Sequence, residues 1–254
     1  DIYRVLKKQS REIFSATITT IMFAAYFIVM RQFSNQEKQV ITTTYAGRNR
    51  MEFDQVIGYF VNMLPIAAQV NGTDTCVEFV NKLQNICTEA YDHSDISFGR
   101  IVDAIAPIQE IGIAPFQQTV FIFQNDNQIP LTSIDFTYEG KRIDNQRTKS
   151  SFLLEVTEKD NKLKGVIEYS TELFEESTVL EFSRRYREAL QEVIKYPEKT
   201  IDEIYNIYHM EQEDGQYSDE ELNEDTLQDL YYQTLERFVN DIACISRDSN
   251  ISYQ

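Results

Sequence analysis

Eighteen consecutive uncharged residues, Ile13 to Met30 (IFSATITTIMFAAYFIVM), constrain this chain more than any other feature. The run is close to the length of a membrane-crossing helix. Four hydroxyl residues interrupt it, Ser15, Thr17, Thr19 and Thr20, and Arg11, Glu12 and Arg31 bound it closely. This favours a helix that is apolar on all sides, buried in a protein core and packed on a sheet, over a membrane span. Whatever the chain folds into must wrap other elements around that helix.

The rest of the chain can supply those elements. Of 254 residues 42% are hydrophobic and 12% aromatic, enough for a sizeable core, which excludes a disordered tail, a fibre and a small disulfide scaffold. There are 41 acidic against 24 basic residues, a formal net charge of −17. Such a field repels a phosphate backbone, so nucleic acid is not expected as a partner. Three Cys without a CxxC pair exclude a thiolate zinc site, and only two His are present, so no metal site is expected. Neither GxGxxG nor GxxxxGK[ST] occurs, so no phosphate-cradling loop can be read. No signal-peptide succession precedes the apolar run, and a cytoplasmic location without membrane contact is expected.

Periodicity predicts two helices, or one bent helix, over 1–33 and a strand at Gln39–Tyr45, then an AGRNR loop. It predicts a short helix over 52–60 and a strand at Asn62–Val70, with Pro65 marking an edge or bulge. A helix is expected to open at Thr73 with Asp74 in its first turn, placing Cys76 and Cys87 on one core-facing side. Phe98–Ile105 reads as a helix, and Thr119–Gln124 and Ser133–Tyr138 as strands. Phe152–Thr157 and Leu163–Ser170 read as a hairpin around KDNK, and Glu175–Tyr196 as an amphipathic helix stopped by Pro197. The segment 139–150 is polar. The alternation implies an α/β chain, a mixed sheet flanked by helices. Residues 211–225 hold eight carboxylates and read as a solvated linker. TLQDLYYQTLERFVNDIA after it is helical in pattern, and CISRDSNISYQ reads as strand, turn and strand start. A chain that starts at Asp1 and stops inside such an element is expected to have been cut from a longer protein.

Residue chemistry alone yields no active site. His93 in HSDISF has Asp95 two residues on, which suits a base and its orienter. The same residues suit a helix C-terminus followed by a cap for the next helix, and this second reading is preferred. His209 borders the acidic segment. There is no GxSxG, and no Cys with a plausible His partner.

Several segments, in order, resemble the condensation domains of non-ribosomal peptide synthetases. IGYFVNMLPIAAQV (57–70) resembles that family's IGxFVNxLPxR, and QVITTTYAGRNRMEFDQV resembles its strand and AGR loop. IFSATITTIMFAAYFIVMRQFSNQEKQ resembles the buried helix before it. HSDISFGRIVDAI, APFQQTVFIFQN and FLLEVTEKDNKLKGVIEYSTELF resemble the H-x-D-x-PF element, the QN strand and the EY-x-T-x-LF hairpin. The match is collinear over roughly 1–205. TLQDLYYQTLERFVNDIACISRDSNISYQ resembles the opening of an adenylation domain. Two departures stand out. Gln109 and Glu110 lie where the family has Arg before APF, and Ala67 and Ala68 replace the Arg after LPI.

The resemblance implies one lobe of the CoA-dependent acyltransferase (chloramphenicol-acetyltransferase-like) fold. It divides the chain into a C-terminal condensation lobe at 1–208, an acidic linker at 209–226 and the start of an adenylation domain at 227–254. In the family, amide bonds form between thioesters carried on the phosphopantetheine arms of peptidyl carrier proteins. The catalytic HHxxxDG lies in an N-terminal lobe, and no HHxxxDG occurs here. The implied partners are that lobe, the carrier proteins and an adenylation domain. No cofactor bound by this chain is expected, and no catalytic residue within it. By resemblance Ala46, Gly47 and Arg48 sit on the loop flooring the substrate tunnel. A glycine there serves either close backbone approach or a plain turn, and both readings stand. Asn62 is expected to bond backbone, Gln124 to line the tunnel, and the 128–150 region to hold the latch that reaches the other lobe. An apolar patch is expected on the face that meets the missing lobe, with the AGR loop and 128–150 beside it.

Overall fold

The computed structural model describes residues 2–48, 50–53, 55–105, 115–125, 148–159 and 161–205, with the backbone of 242–245 and 250–252. The strand expected at Ser133–Tyr138, the 128–147 part of the latch segment, His209 and the acidic stretch 211–225 lie outside those residues.

The apolar run forms the central helix. Helix α1 spans Ile2–Glu12 and α2 spans Ile18–Ser34, and ten consecutive residues of α2, Thr20 to Val29, are buried. The hydroxyls that interrupt the run are put to use. Thr17 caps α2 by accepting from the Thr20 N–H at 3.1 Å, and Thr20 Oγ1 donates to Gln84 Oε1 at 2.7 Å. Asn35, left-handed at φ 51°, ends the helix. Among the described residues no helix is long and apolar enough to cross a membrane.

A five-stranded sheet lies against α2 in the order β2-β1-β3-β4-β5. The strands are β1 Lys38–Tyr45, β2 Asn62–Gln69, β3 Thr119–Asn125, β4 Phe152–Lys159 and β5 Lys162–Tyr169. The outer pairs are antiparallel and the inner pairs β1–β3 and β3–β4 parallel, so the expected mixed sheet is observed. Pro65 sits in edge strand β2, where a missing N–H costs no ladder bond. The β4–β5 turn is the expected hairpin, with Asn161 at φ 57°, a conformation Asn tolerates.

One face of the sheet is packed. Phe121 stacks on Phe23 with centroids 4.9 Å apart, and Tyr26 meets Phe121 and Phe182 at 5.5 and 5.6 Å. Phe182 belongs to α5, Glu176–Lys195, whose buried residues Val179, Phe182, Tyr186, Ala189, Leu190 and Val193 recur at helical spacing. Each fully buried aromatic or aliphatic side chain contributes about 1.5–3 kcal/mol. The polar tips are matched, because Tyr186 Oη donates to Met22 O at 3.2 Å and Tyr26 Oη pairs with Thr119 Oγ1 at 3.3 Å. On the opposite face Val120 and Thr42 are buried, the Thr42 hydroxyl donating to Phe116 O, while Val40 is exposed.

Helix α3, Cys76–Asp92, begins later than Thr73. Thr75 is its cap, and Thr75 and Glu78 form a reciprocal capping box that sets the boundary. Asp74 therefore stays outside the helix and pairs with Lys82 at 2.8 Å. Cys76 and Cys87 face the core, and burial pushes both thiols up to about 12. Helix α4 is Phe98–Ile105, as expected. After α5 the chain returns to the start of α3. Cys76 N donates to Lys199 O, Val77 N to Pro197 O, Ile201 N to Asp74 O and Asp202 N to Gly72 O, each at 3.0 Å. Thr200 and Glu203 repeat the capping geometry opposite Thr75, to which Thr200 is bridged. Near the C-terminus β6 (Ile242–Ile245) pairs antiparallel with β7 (Asn250–Ser252). Ile242 and Ala243, expected in a helix, are strand residues.

Candidate functional site

The last pair of the β1–β2 ladder is Tyr45 with Asn62, so the segment 46–61 leaves and returns at one point. Loops of this length with touching ends hold together through their own side chains. The expected helix over 52–60 is reduced to one 3-10 turn, Met51–Phe53. Phe53 and Phe60, seven residues apart, would share a helical face. Instead they stack across the loop with centroids 5.3 Å apart. The Arg48 guanidinium lies 4.5 Å over the Phe60 ring and donates to Phe53 O and to Val56 O, the latter at 3.0 Å. Gly47 adopts φ +66°, and a Cβ built there would overlap the Phe60 carbonyl. The glycine thus serves both close backbone approach and a positive-φ turn.

Asn62 ties this loop to a second one. Its Nδ2 donates to Ser94 O at 3.0 Å and Ile96 O at 2.8 Å, and its Oδ1 accepts from Phe98 N at 3.1 Å. It bonds backbone, and it brings FVN and HSDISF together. Asp95 is the cap expected for α4, but the first N–H of that helix goes to Asn62 Oδ1. His93 is exposed and is the C-cap residue of α3, and no hydrogen bond joins its ring to Asp95.

Between the two loops lies a cleft of about 530 Å³. Tyr45, Phe53, Phe60 and Val61 give it an apolar wall, and Arg50, Asn62, Asp95 and Ser97 a polar rim. Tyr45 is backed by Tyr91 of α3, stacked at 5.4 Å. Burial, with Cys87 and Tyr45 nearby, pushes the Tyr91 phenol up to about 12. Gly47 and Asn62 line this cleft, and Arg48 and Ala46 belong to its loop. Gln124 is exposed at the end of β3 and is not among the lining residues. Arg50, Phe53, Ser94 and Ser97 were not singled out from the sequence. Among the described residues no cluster of His, Cys, Asp or Glu is placed to hold a metal.

The tip of the 46–61 loop is apolar and open to solvent: Met51 and Tyr59 are 88% exposed and Ile57 fully so. The expected apolar patch therefore concentrates on the AGR loop and not across the sheet face.

Comparison with known proteins settles the family. The profile of the condensation domain matches residues 7–214. The chain belongs to the condensation-domain family. Part of the linear gramicidin synthase of Brevibacillus parabrevis is 29% identical over 206 residues, 79% of this chain and 4% of that protein. Bacitracin synthase 3 of Bacillus licheniformis is 26% identical over 244 residues, 94% of this chain and 4% of that protein. The condensation-domain chain thus spans about a twentieth of these curated relatives. A four-domain nonribosomal peptide synthetase solved with AMP and glycine superposes at a TM-score of 0.73 and 19% identity, covering 99% of this chain and 20% of that one. The X-domain from teicoplanin biosynthesis superposes at 0.69 and 19% identity, covering 79% of this chain and 46% of that one. The expected fold class, a mixed sheet flanked by helices in the chloramphenicol-acetyltransferase-like manner, is the fold of these condensation-domain neighbours.

Proposed function

We propose that this chain is the C-terminal lobe of a condensation domain, which in the complete synthetase joins carrier-bound aminoacyl and peptidyl groups. In that reaction the acceptor amine attacks the donor thioester carbonyl. The C–N bond forms, the C–S bond breaks, and the amine's proton leaves with the carrier thiol. This lobe supplies shape and not the base. The 46–61 loop, with Ala46, Gly47, Arg48 and Asn62, floors the route along which the phosphopantetheine-borne substrates meet, and Gln124 stands at the same end of the sheet. The HHxxxDG that assists the amine comes from the N-terminal lobe, so this chain alone forms no amide. Residues 209–226 act as a linker to an adenylation domain beginning near 227.

The observation that carries this reading is the exposed apolar tip of Met51, Ile57 and Tyr59 on an internally tied loop, a surface shaped to be covered. The alternative, a self-sufficient acyltransferase using His93, lacks support, because the His93 ring has no orienting partner among the described residues.

The test is to mix the chain with a separately made N-terminal lobe and carrier-bound thioesters. Association of the lobes, and amide product only when both are present, are expected. Product from this chain alone, abolished by His93→Ala, would establish the alternative.

A further inference from the structure

The Arg48 guanidinium makes three contacts, and no carboxylate among the described residues pairs with it. In a chain with 41 acidic residues that is a choice of geometry over charge. Its planar fork reaches two backbone carbonyls, of Phe53 and Val56, while its face covers Phe60. An ammonium group cannot do both. These ties cross a loop with little else to order it. Its described internal backbone bonds are Phe53 N to Arg50 O at 2.9 Å and Val56 N to Phe53 O at 3.2 Å. Holding Met51, Ile57 and Tyr59 out in water offers no burial in return, so the free loop would collapse or fluctuate without a brace. A brace that fixes it beforehand lowers the ordering cost of association.

We propose that Arg48 is a positioning residue for the condensation reaction. It braces the 46–61 loop so that the apolar tip is presented to the N-terminal lobe and the Phe53–Phe60 wall of the cleft stays upright. It acts through Phe53, Val56 and Phe60 without touching substrate. This rests on the reading that the loop tip docks against that lobe.

Three variants of the chain, Arg48→Met, Arg48→Lys and Ile57→Asp, separate the two ideas. Amide hydrogen exchange of 46–61 is measured beside that of β1 to β3, together with affinity for the N-terminal lobe. In the protein holding both lobes, kcat and KM are also measured. Arg48→Met is expected to raise exchange in the loop at least tenfold, leave the sheet unchanged, and weaken lobe affinity about tenfold. Arg48→Lys keeps the charge but not the fork and is expected to rescue neither property. Ile57→Asp is expected to weaken affinity with loop exchange unchanged. In the two-lobe protein Arg48→Met is expected to lower kcat with KM little changed, because the loop and not a substrate contact is altered. Unchanged loop exchange or lobe affinity in Arg48→Met, with Ile57→Asp effective, overturns the role of Arg48 alone. Full rescue by Arg48→Lys overturns it too, showing charge to suffice. An Ile57→Asp chain that binds the lobe normally overturns the docking reading and the proposal with it.

Discussion

Asn62 accepts the Phe98 N–H on its side-chain oxygen at 3.1 Å, so a residue at the start of a strand caps a helix 36 positions downstream. With Nδ2 on the Ser94 and Ile96 carbonyls, one amide satisfies three backbone groups of the 94–98 turn. The cleft wall and α4 are therefore one mechanical unit.

Asn62→Asp keeps the acceptor but removes both donors and sets a carboxylate against two carbonyls. Leaving such groups unmatched costs about 1–3 kcal/mol. A lower urea midpoint with an unchanged denaturant slope is the expected result. A loss under about 0.5 kcal/mol would show that water replaces the amide without penalty.

Gly47→Ala meets two obstacles, the positive φ and the Phe60 carbonyl. The backbone part alone costs about 1–3 kcal/mol. Reduced stability and faster amide exchange through 46–61 are expected. A neutral or stabilising effect would mean that the loop does not approach β2 this closely.

Cys76 and Cys87, both pushed up to about 12 by burial, are almost wholly thiol at pH 8. Alkylation of their peptides by iodoacetamide, read by mass spectrometry, should follow the unfolding rate and not the reagent concentration. Rapid labelling of the folded chain would contradict the buried placement.

Backbone hydrogen bonds from Thr75 and Thr200 hold the Glu78 and Glu203 carboxyls below the usual carboxylate range. A depressed folded-state pKa contributes stability above the ordinary value, near 4.5, which is lost as pH falls through the folded value. The Glu78→Gln, Glu203→Gln double variant should be less stable than the parent at pH 6, and the two should converge toward pH 3. Parallel curves would show that neither cap depends on charge.

The framework was legible because its signals are local. The uncharged run, the alternation in FLLEV and KLKGV, and the spacing in α5 each name their own element. What escaped depends on contacts between distant residues. Asp74 looks like a first-turn acid until Thr75 and Glu78 close the box one residue later. Phe53 and Phe60 have a helical spacing, and only the Arg48 fork and the Tyr45–Asn62 pairing turn that spacing into a loop. Asp95 is a sound cap by composition, but an amide arriving from β2 takes its place. The cleft could not be read at all, since its polar rim joins Arg50 from one loop to Asp95 and Ser97 from another.

The return of 197–205 to the start of α3 has a consequence for how the chain is made. The partners Gly72 and Asp202 are about 130 residues apart. At about 5–20 residues per second, roughly 6–26 seconds of synthesis separate them. For that interval α3 exists with its leading edge untied, and only emergence of the final segment closes the domain. A nascent chain arrested before residue 205 should be open to protease at 71–78, and release from arrest should abolish that sensitivity in a single step.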